Sequence, residues 1–145
     1  MKFIFALAGA AAAMLFLDAI WLSTMAERLY RPELGDLLAD QFRPYPAFIF
    51  YALYLFGVVY FAVYPALHKG GWRIAALNGA LFGLIAYGTY DLTNQATLRH
   101  WPVLVTVLDM IWGAVISTAA AIAGYAAARP RRSPARAEHT GSTRR

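Results

Sequence analysis

The sequence predicts an all-α integral membrane protein, a bundle of four transmembrane helices with a short amphipathic helix in the first outer loop. Three observations predict it. Of 145 residues, 60% are hydrophobic and only 14% charged, against roughly 45–50% apolar and about 25% charged in soluble domains. The apolar residues fall into four runs, each long enough to cross a hydrocarbon core about 30 Å thick at about 1.5 Å per helical residue. Lipid offers backbone groups no hydrogen bonds, and a helix satisfies its own. The apolar content and the mean hydropathy of +0.47 exclude intrinsic disorder. The absence of cysteine excludes disulfides, Cys-ligated zinc, iron–sulfur clusters and thiol nucleophiles.

The elements follow in chain order. A membrane domain is predicted over 1–128, with spans at about 3–25, 45–67, 72–91 and 102–128. The first run, from Phe3 to about Met25, is broken by Asp18 and a few hydroxyls. A cleaved signal peptide ending near Thr24-Met25-Ala26 is the rival reading; the run is longer than an h-region of about 7–15 residues and contains an aspartate, so a retained helix is expected. In the polar stretch from Glu27 to Arg43, Pro32 opens a segment with Glu33 and Asp36 in its first turn and Leu37, Leu38 and Phe42 behind them. That pattern predicts the amphipathic helix at the outer interface. The second run, Tyr45 to Leu67, is closed by Pro65 and the turn His68-Lys69-Gly70-Gly71. The third begins near Trp72, and no glycine or proline lies between Thr89 and Trp101. Either this helix runs on through Asn94 and Thr97, or Asp91 or Thr93 caps a new short one. The fourth starts after Trp101-Pro102 and reaches about Ala128.

Basic residues set the orientation. Lys2, Lys69, Arg73 and the arginines at 129, 131, 132, 136, 144 and 145 fall on one side of a four-span topology, and Arg28, Arg31, Arg43 and Arg99 on the other. Both termini are therefore expected in the cytoplasm of a cell whose inner membrane holds the chain. The Pro-, Ser- and Arg-rich tail 129–145 is expected to be disordered. Its natural contact is the anionic inner leaflet, and no nucleic-acid partner is expected.

Three carboxylates lie inside or at the edge of the runs: Asp18, Asp91 and Asp109. An intramembrane charge costs at least about 2.5–3.5 kcal/mol on insertion scales, so such residues normally face the bundle interior. Asp18 is about fifteen residues into a rising span, roughly 22 Å, and Asp109 about seven residues into a descending one, roughly 10 Å. With Asp91 near the outer end of the third span, all three fall in the outer half. Asp18-Ala-Ile-Trp21 is echoed by Asp109-Met-Ile-Trp112. Each tryptophan shares a helix face with its aspartate, and an indole N–H can serve a carboxylate on a neighbouring helix. Ala75, Gly79 and Gly83 form a small-residue face for close helix approach. The same side continues through Tyr87, Tyr90, Asp91 and Asn94, while the second span brings Tyr51 and Tyr54 to similar depth. Each of these residues taken alone equally well glues helices together, at about 0.6 kcal/mol per contact. Three acids at one depth, with no basic residue in the outer half of the spans to neutralise them, favour a site. His68, His100 and His139 lie on separate segments and build no metal or haem site, and no nucleotide or hydrolase fingerprint is present. An all-carboxylate cation site from the aspartates and Asn94 stays open, and no cofactor is implied.

These motifs resemble the bacterial membrane-protein family of domain of unknown function 2177. The resemblance covers residues 1 to about 128 and is carried by Asp18-x-x-Trp21-Leu22, Pro46-Ala47, Phe50-Tyr51-x-x-Tyr54-x-x-Gly57, Pro65-Ala66-Leu67, the unbroken run Ala86 to Leu98, and Asp109-x-x-Trp112-Gly113. It implies a small multi-span membrane protein and brings no reaction, ligand or partner with it. The residues themselves favour binding or transport of a small polar solute, cation or lipid headgroup at an outward-facing pocket. That pocket would be built from Asp18, Trp21, Tyr51, Tyr54, Tyr87, Tyr90, Asp91, Asn94, Asp109 and Trp112. Four spans are few for a transporter, so a homodimer among membrane lipids is expected. A lipid-modifying enzyme with an aspartate acid or base, and an accessory subunit with no pocket, are the competing readings.

Overall fold

The computed structural model describes residues 1–129. The predicted disordered tail lies outside the described residues, apart from Arg129. The described part is all helix and turn, with no strand, in four long stretches: α1 (Lys2–Leu37), α2 (Pro44–His68), α3 (Trp72–Thr97) and α4 (Val103–Ala128). Among the described residues, α1, α2 and α4 are long and apolar enough to cross a membrane. α3 is as long as α4 but carries Asn78, Asp91, Asn94 and four threonine or glutamine side chains, which lower its hydropathy.

α4 is the central helix, with α1 and α3 packed along it and α2 set against α1 and α3. α1 and α3 each run antiparallel to α4: Gly9 meets Ala123 and Ala127 while Asp18 meets Trp112, and Gly79 meets Ala121 while Gly88 meets Met110. The small face Ala75–Gly79–Gly83 is buried against Gly113, Ser117 and Ala121 of α4. A methyl group added at Gly83 would run into the Gly113 carbonyl oxygen and the Ser117 hydroxyl, so backbone meets backbone there. The core continues through Ala6, Ala10, Met14, Val58, Val59, Val63, Ile116 and Ala120. Leucines and phenylalanines cover the outside, as lipid contact requires.

Two π-helical turns interrupt the α-helices, Ala26–Tyr30 in α1 and Val59–Val63 in α2. Each ends two residues before a proline, Pro32 or Pro65. A proline ring inside an α-helix clashes with the carbonyl four residues back and offers it no N–H. A wider turn relieves that clash without ending the helix. Pro65 therefore sits within α2, and the helix stops only at the Gly70-Gly71 turn, where φ is +121° and +111°. The Phe61 carbonyl, deprived of the Pro65 N–H, accepts instead from Asn78 Nδ2 of α3 at 3.1 Å.

The same device changes the first outer segment. Where the sequence reading places a separate amphipathic helix after Met25, α1 runs on through the π turn, Arg31–Leu34 and a 3₁₀ turn at Gly35–Leu37. The charges of this stretch point outward, and Glu27 and Arg31 pair at 3.1 Å one turn apart, so they do not break the helix. Of the alternatives for the third run, the chain adopts the continuous helix. Thr89, Thr93 and Thr97 donate to carbonyls on the preceding turn (Ile85 and Thr93 at 2.7 Å, Tyr90 at 3.0 Å), which satisfies their hydroxyls without capping a new element.

Candidate functional site

The two Asp-x-x-Trp motifs meet across the α1–α4 interface. The indoles of Trp21 and Trp112 stack with centroids 4.4 Å apart and planes within 9°. The two indole N–H groups then feed two different acids, Trp112 directly across the interface and Trp21 through Tyr30 of its own helix. Trp112 Nε1 donates to Asp18 Oδ1 at 3.3 Å, and Tyr51 of α2 donates its hydroxyl to Asp18 Oδ2. Trp21 Nε1 donates to the Tyr30 hydroxyl at 2.9 Å, and that hydroxyl donates to Asp109 Oδ1 at 2.7 Å.

Tyr30 reaches Asp109 because of the π turn. At about 100° per residue, an unbroken α-helix would place Tyr30 about 120° round from Asp18. The extra residue accommodated by a π turn takes back about 100°, which brings both onto the face that looks at α4. The sequence reading left Tyr30 in the outer loop and so missed it. The available signal was Pro32, which marks an in-helix π turn as readily as a helix start.

The three aspartates occupy three different environments. Asp18 is 7% exposed and has both oxygens occupied. Asp91 is 0% exposed, four residues beyond Tyr87 on α3, and neither of its oxygens has a hydrogen-bond partner among the described residues. Asp109 is 7% exposed; Tyr30 holds Oδ1, and Oδ2 takes no hydrogen bond from the described residues. Among the described residues the one ion pair is the surface contact between Arg31 and Glu27. None of the three acids therefore has a cationic partner there.

Asp109 lines a cleft of about 370 Å³ together with Phe50 and Tyr54 of α2 and Ala86, Tyr87 and Tyr90 of α3. Its volume falls at the lower end of the usual range for small-ligand sites. Phe50 and Tyr90 are 45% and 58% exposed while Asp109 is nearly sealed. The cleft thus opens sideways between α2 and α3, with the carboxylate as its floor. Its inner wall is fixed by packing. Tyr54 exchanges a 2.7 Å hydrogen bond with Ser117, which itself donates to the Gly113 carbonyl at 2.6 Å. Tyr87 meets Tyr54 edge-on at 6.2 Å and lies over Gly113, where only a glycine leaves room for its ring.

Of the residues the sequence singles out, Asp109, Tyr54, Tyr87 and Tyr90 line the cleft, and Asp18, Trp21, Tyr51 and Trp112 form the network behind it. Asp91 is sealed away from both, and Asn94 lies half-buried one turn past Tyr90 and outside the lining. Among the described residues no three His, Cys, Asp or Glu side chains come together to hold a metal ion. The arrangement therefore does not supply the several oxygen ligands that a calcium or magnesium ion takes.

A family model described as "Predicted membrane protein (DUF2177)" matches residues 3–126. No curated protein and no solved structure matches the chain.

Proposed function

From the premise that the chain belongs to the DUF2177 family of predicted membrane proteins, we propose a four-span protein of the inner membrane that binds or transports a small polar solute, cation or lipid headgroup. Both termini lie in the cytoplasm and the cleft faces the outer half of the bilayer. The distribution of lysine and arginine supports this orientation. α3 serves as the remaining span. Its 26 residues reach roughly 39 Å at helical rise, its small face packs on α4, and its threonines are bonded internally.

One observation carries the reading. A nearly sealed carboxylate, one of whose oxygens takes no hydrogen bond from the described residues, forms the floor of a cleft walled by four aromatic rings and Ala86. Helix glue would occupy both oxygens, as it does at Asp18. The Trp21–Tyr30–Asp109 chain orients the carboxylate and holds it at the cleft. The competing enzyme reading draws on the same contact, since a phenol bonded to a carboxylate suits proton transfer to a bound lipid headgroup.

Native mass spectrometry of the protein extracted with its own lipids, and proton flux in dye-loaded proteoliposomes, test the proposal. Wild type is expected to carry a bound small molecule or lipid, and Asp109→Asn to lose it along with any flux. Identical spectra and identical flux for wild type and variant would overturn it. A lipid profile altered in a deletion strain and rescued by wild type but not by Asp109→Asn would select the enzyme.

A further inference from the structure

The chemistry of the cleft is narrower than that reading requires. Its lining offers one carboxylate and four aromatic rings, with no lysine, arginine, histidine, asparagine or glutamine. An anion would meet only repulsion from Asp109. A sugar or other polyol would find few donors, since the Tyr54 hydroxyl is engaged with Ser117. A small hydrated metal ion would lose its water shell for a single carboxylate, and no cluster of ligands replaces it among the described residues. A substituted ammonium ion is held by what is present. It is weakly hydrated, its charge can be met by Asp109 Oδ2, and its methyl or methylene groups can pack among the rings of Tyr54, Tyr87 and Tyr90 that line the cleft, aromatic rings attracting cations through their quadrupole.

The shape fixes the rest of the ligand. The cleft opens between α2 and α3 past Phe50 and Tyr90, and Ile49 and Leu53, beside Phe50 on α2, are both exposed. On a membrane-spanning array that flank is acyl chain. A molecule whose head reaches Asp109 therefore keeps an apolar arm in lipid.

We propose that the cleft takes an alkylammonium group, with its cationic head on Asp109 and the tyrosine rings and its alkyl arm leaving sideways between α2 and α3. This rests on the cleft being the binding site proposed above. The ammonium is supplied either by a free amphiphilic amine or by the headgroup of a membrane lipid.

The test uses the full chain in non-ionic maltoside micelles, with the fluorescence of its four tryptophans as reporter. Three probes share one arm and differ in the head: hexyltrimethylammonium, hexanol and hexanoate. Hexyltrimethylammonium is expected to bind saturably and the other two not to bind. Asp109→Asn should weaken it at least tenfold. Tyr90→Leu should weaken it several-fold while Tyr90→Phe stays within twofold, because the ring and not the hydroxyl meets the cation; Tyr90 is exposed enough for both variants to fold. Competition by added phosphatidylcholine but not phosphatidylglycerol identifies a lipid headgroup as the source, and its absence identifies a free amine; either supports the proposal. Saturable, Asp109-dependent binding of hexanol or hexanoate in place of the cation would refute the alkylammonium assignment while leaving the cleft as a binding site. Binding of no probe, in protein that also carries no native adduct, would remove both.

Discussion

The close packing of α3 on α4 can be tested one glycine at a time. Gly79, Gly83 and Gly88 all lie on α3 facing α4, and alanine at each would meet something different. At Gly88 the added methyl comes within 3.2 Å of Met110 Cε, the free end of a flexible side chain that can turn aside. At Gly79 it comes within 2.7 Å of the Ser117 carbonyl and 2.9 Å of Ala121 Cβ. At Gly83 it overlaps the Gly113 carbonyl and the Ser117 hydroxyl, so α3 itself must move away from α4. Overpacking costs about 1–3 kcal/mol when side chains can rearrange, and occasionally more; here backbone meets backbone. The gain in helix propensity from Gly to Ala, at most about 1 kcal/mol, is common to the three and cancels in the differences. Gly88→Ala is therefore expected within about 1 kcal/mol of wild type, Gly79→Ala lower by about 1–2, and Gly83→Ala by about 2–3 or more. Unfolding by dodecyl sulfate in mixed micelles, followed by tryptophan fluorescence, measures the order. Because Gly83 sets the spacing that places Tyr87 over Gly113, the Gly83 variant should also enlarge the cleft and weaken any ligand. Equal stability of all three variants, or a neutral Gly83→Ala, would refute the close packing of α3 on α4.

Four more outcomes follow from individual contacts. Tyr30→Phe removes the donor to Asp109 and the acceptor for Trp21; it should cost about 1 kcal/mol, within the range for intramembrane hydrogen bonds, and shift the tryptophan emission, which a steady-state spectrum reads directly. Asp18→Ala strands two donors, Tyr51 and Trp112, and should destabilise by about 2–4 kcal/mol. Asp91→Ala removes a carboxyl that has no partner among the described residues and should be neutral or stabilising in the same titration. Asn78→Ala leaves the Phe61 carbonyl without its Asn78 donor and should cost about 1 kcal/mol. In a Pro65→Ala background the restored main-chain N–H should make that loss smaller, and a double-mutant cycle measures the coupling.

The two Asp-x-x-Trp segments show how far local reading reaches. Their spacing put carboxylate and indole on one helix face, and the antiparallel run of α1 and α4 brings the two copies together. Spacing could not show that each indole is donated away from its own aspartate. Nor could it show that the rings stack, since that depends on the rotation of α1 about its axis. Tyr30 illustrates the limit more sharply. Its hydroxyl bonds Asp109, 79 positions away in sequence, and a π turn of one residue's phase decides whether it points at α4 or at lipid. Asp91 and Asn94 mark the opposite error. Helical periodicity placed them with Tyr87 and Tyr90, but one is sealed with no partner among the described residues and the other stands outside the cleft.

What the sequence by itself determined is therefore everything set by composition and periodicity. That covers a membrane solvent, helices as the backbone form lipid permits, the small face of α3, and the residue types of the candidate site. These follow from transfer free energy and from repeats of three or four residues, which need no partner to be read. Only the tertiary structure decided which acid is bonded, which is sealed and which is open. That decision rests on helix rotation, on two proline-driven π turns, and on contacts between segments far apart in the chain. An isolated run carries no record of the face its neighbours will cover.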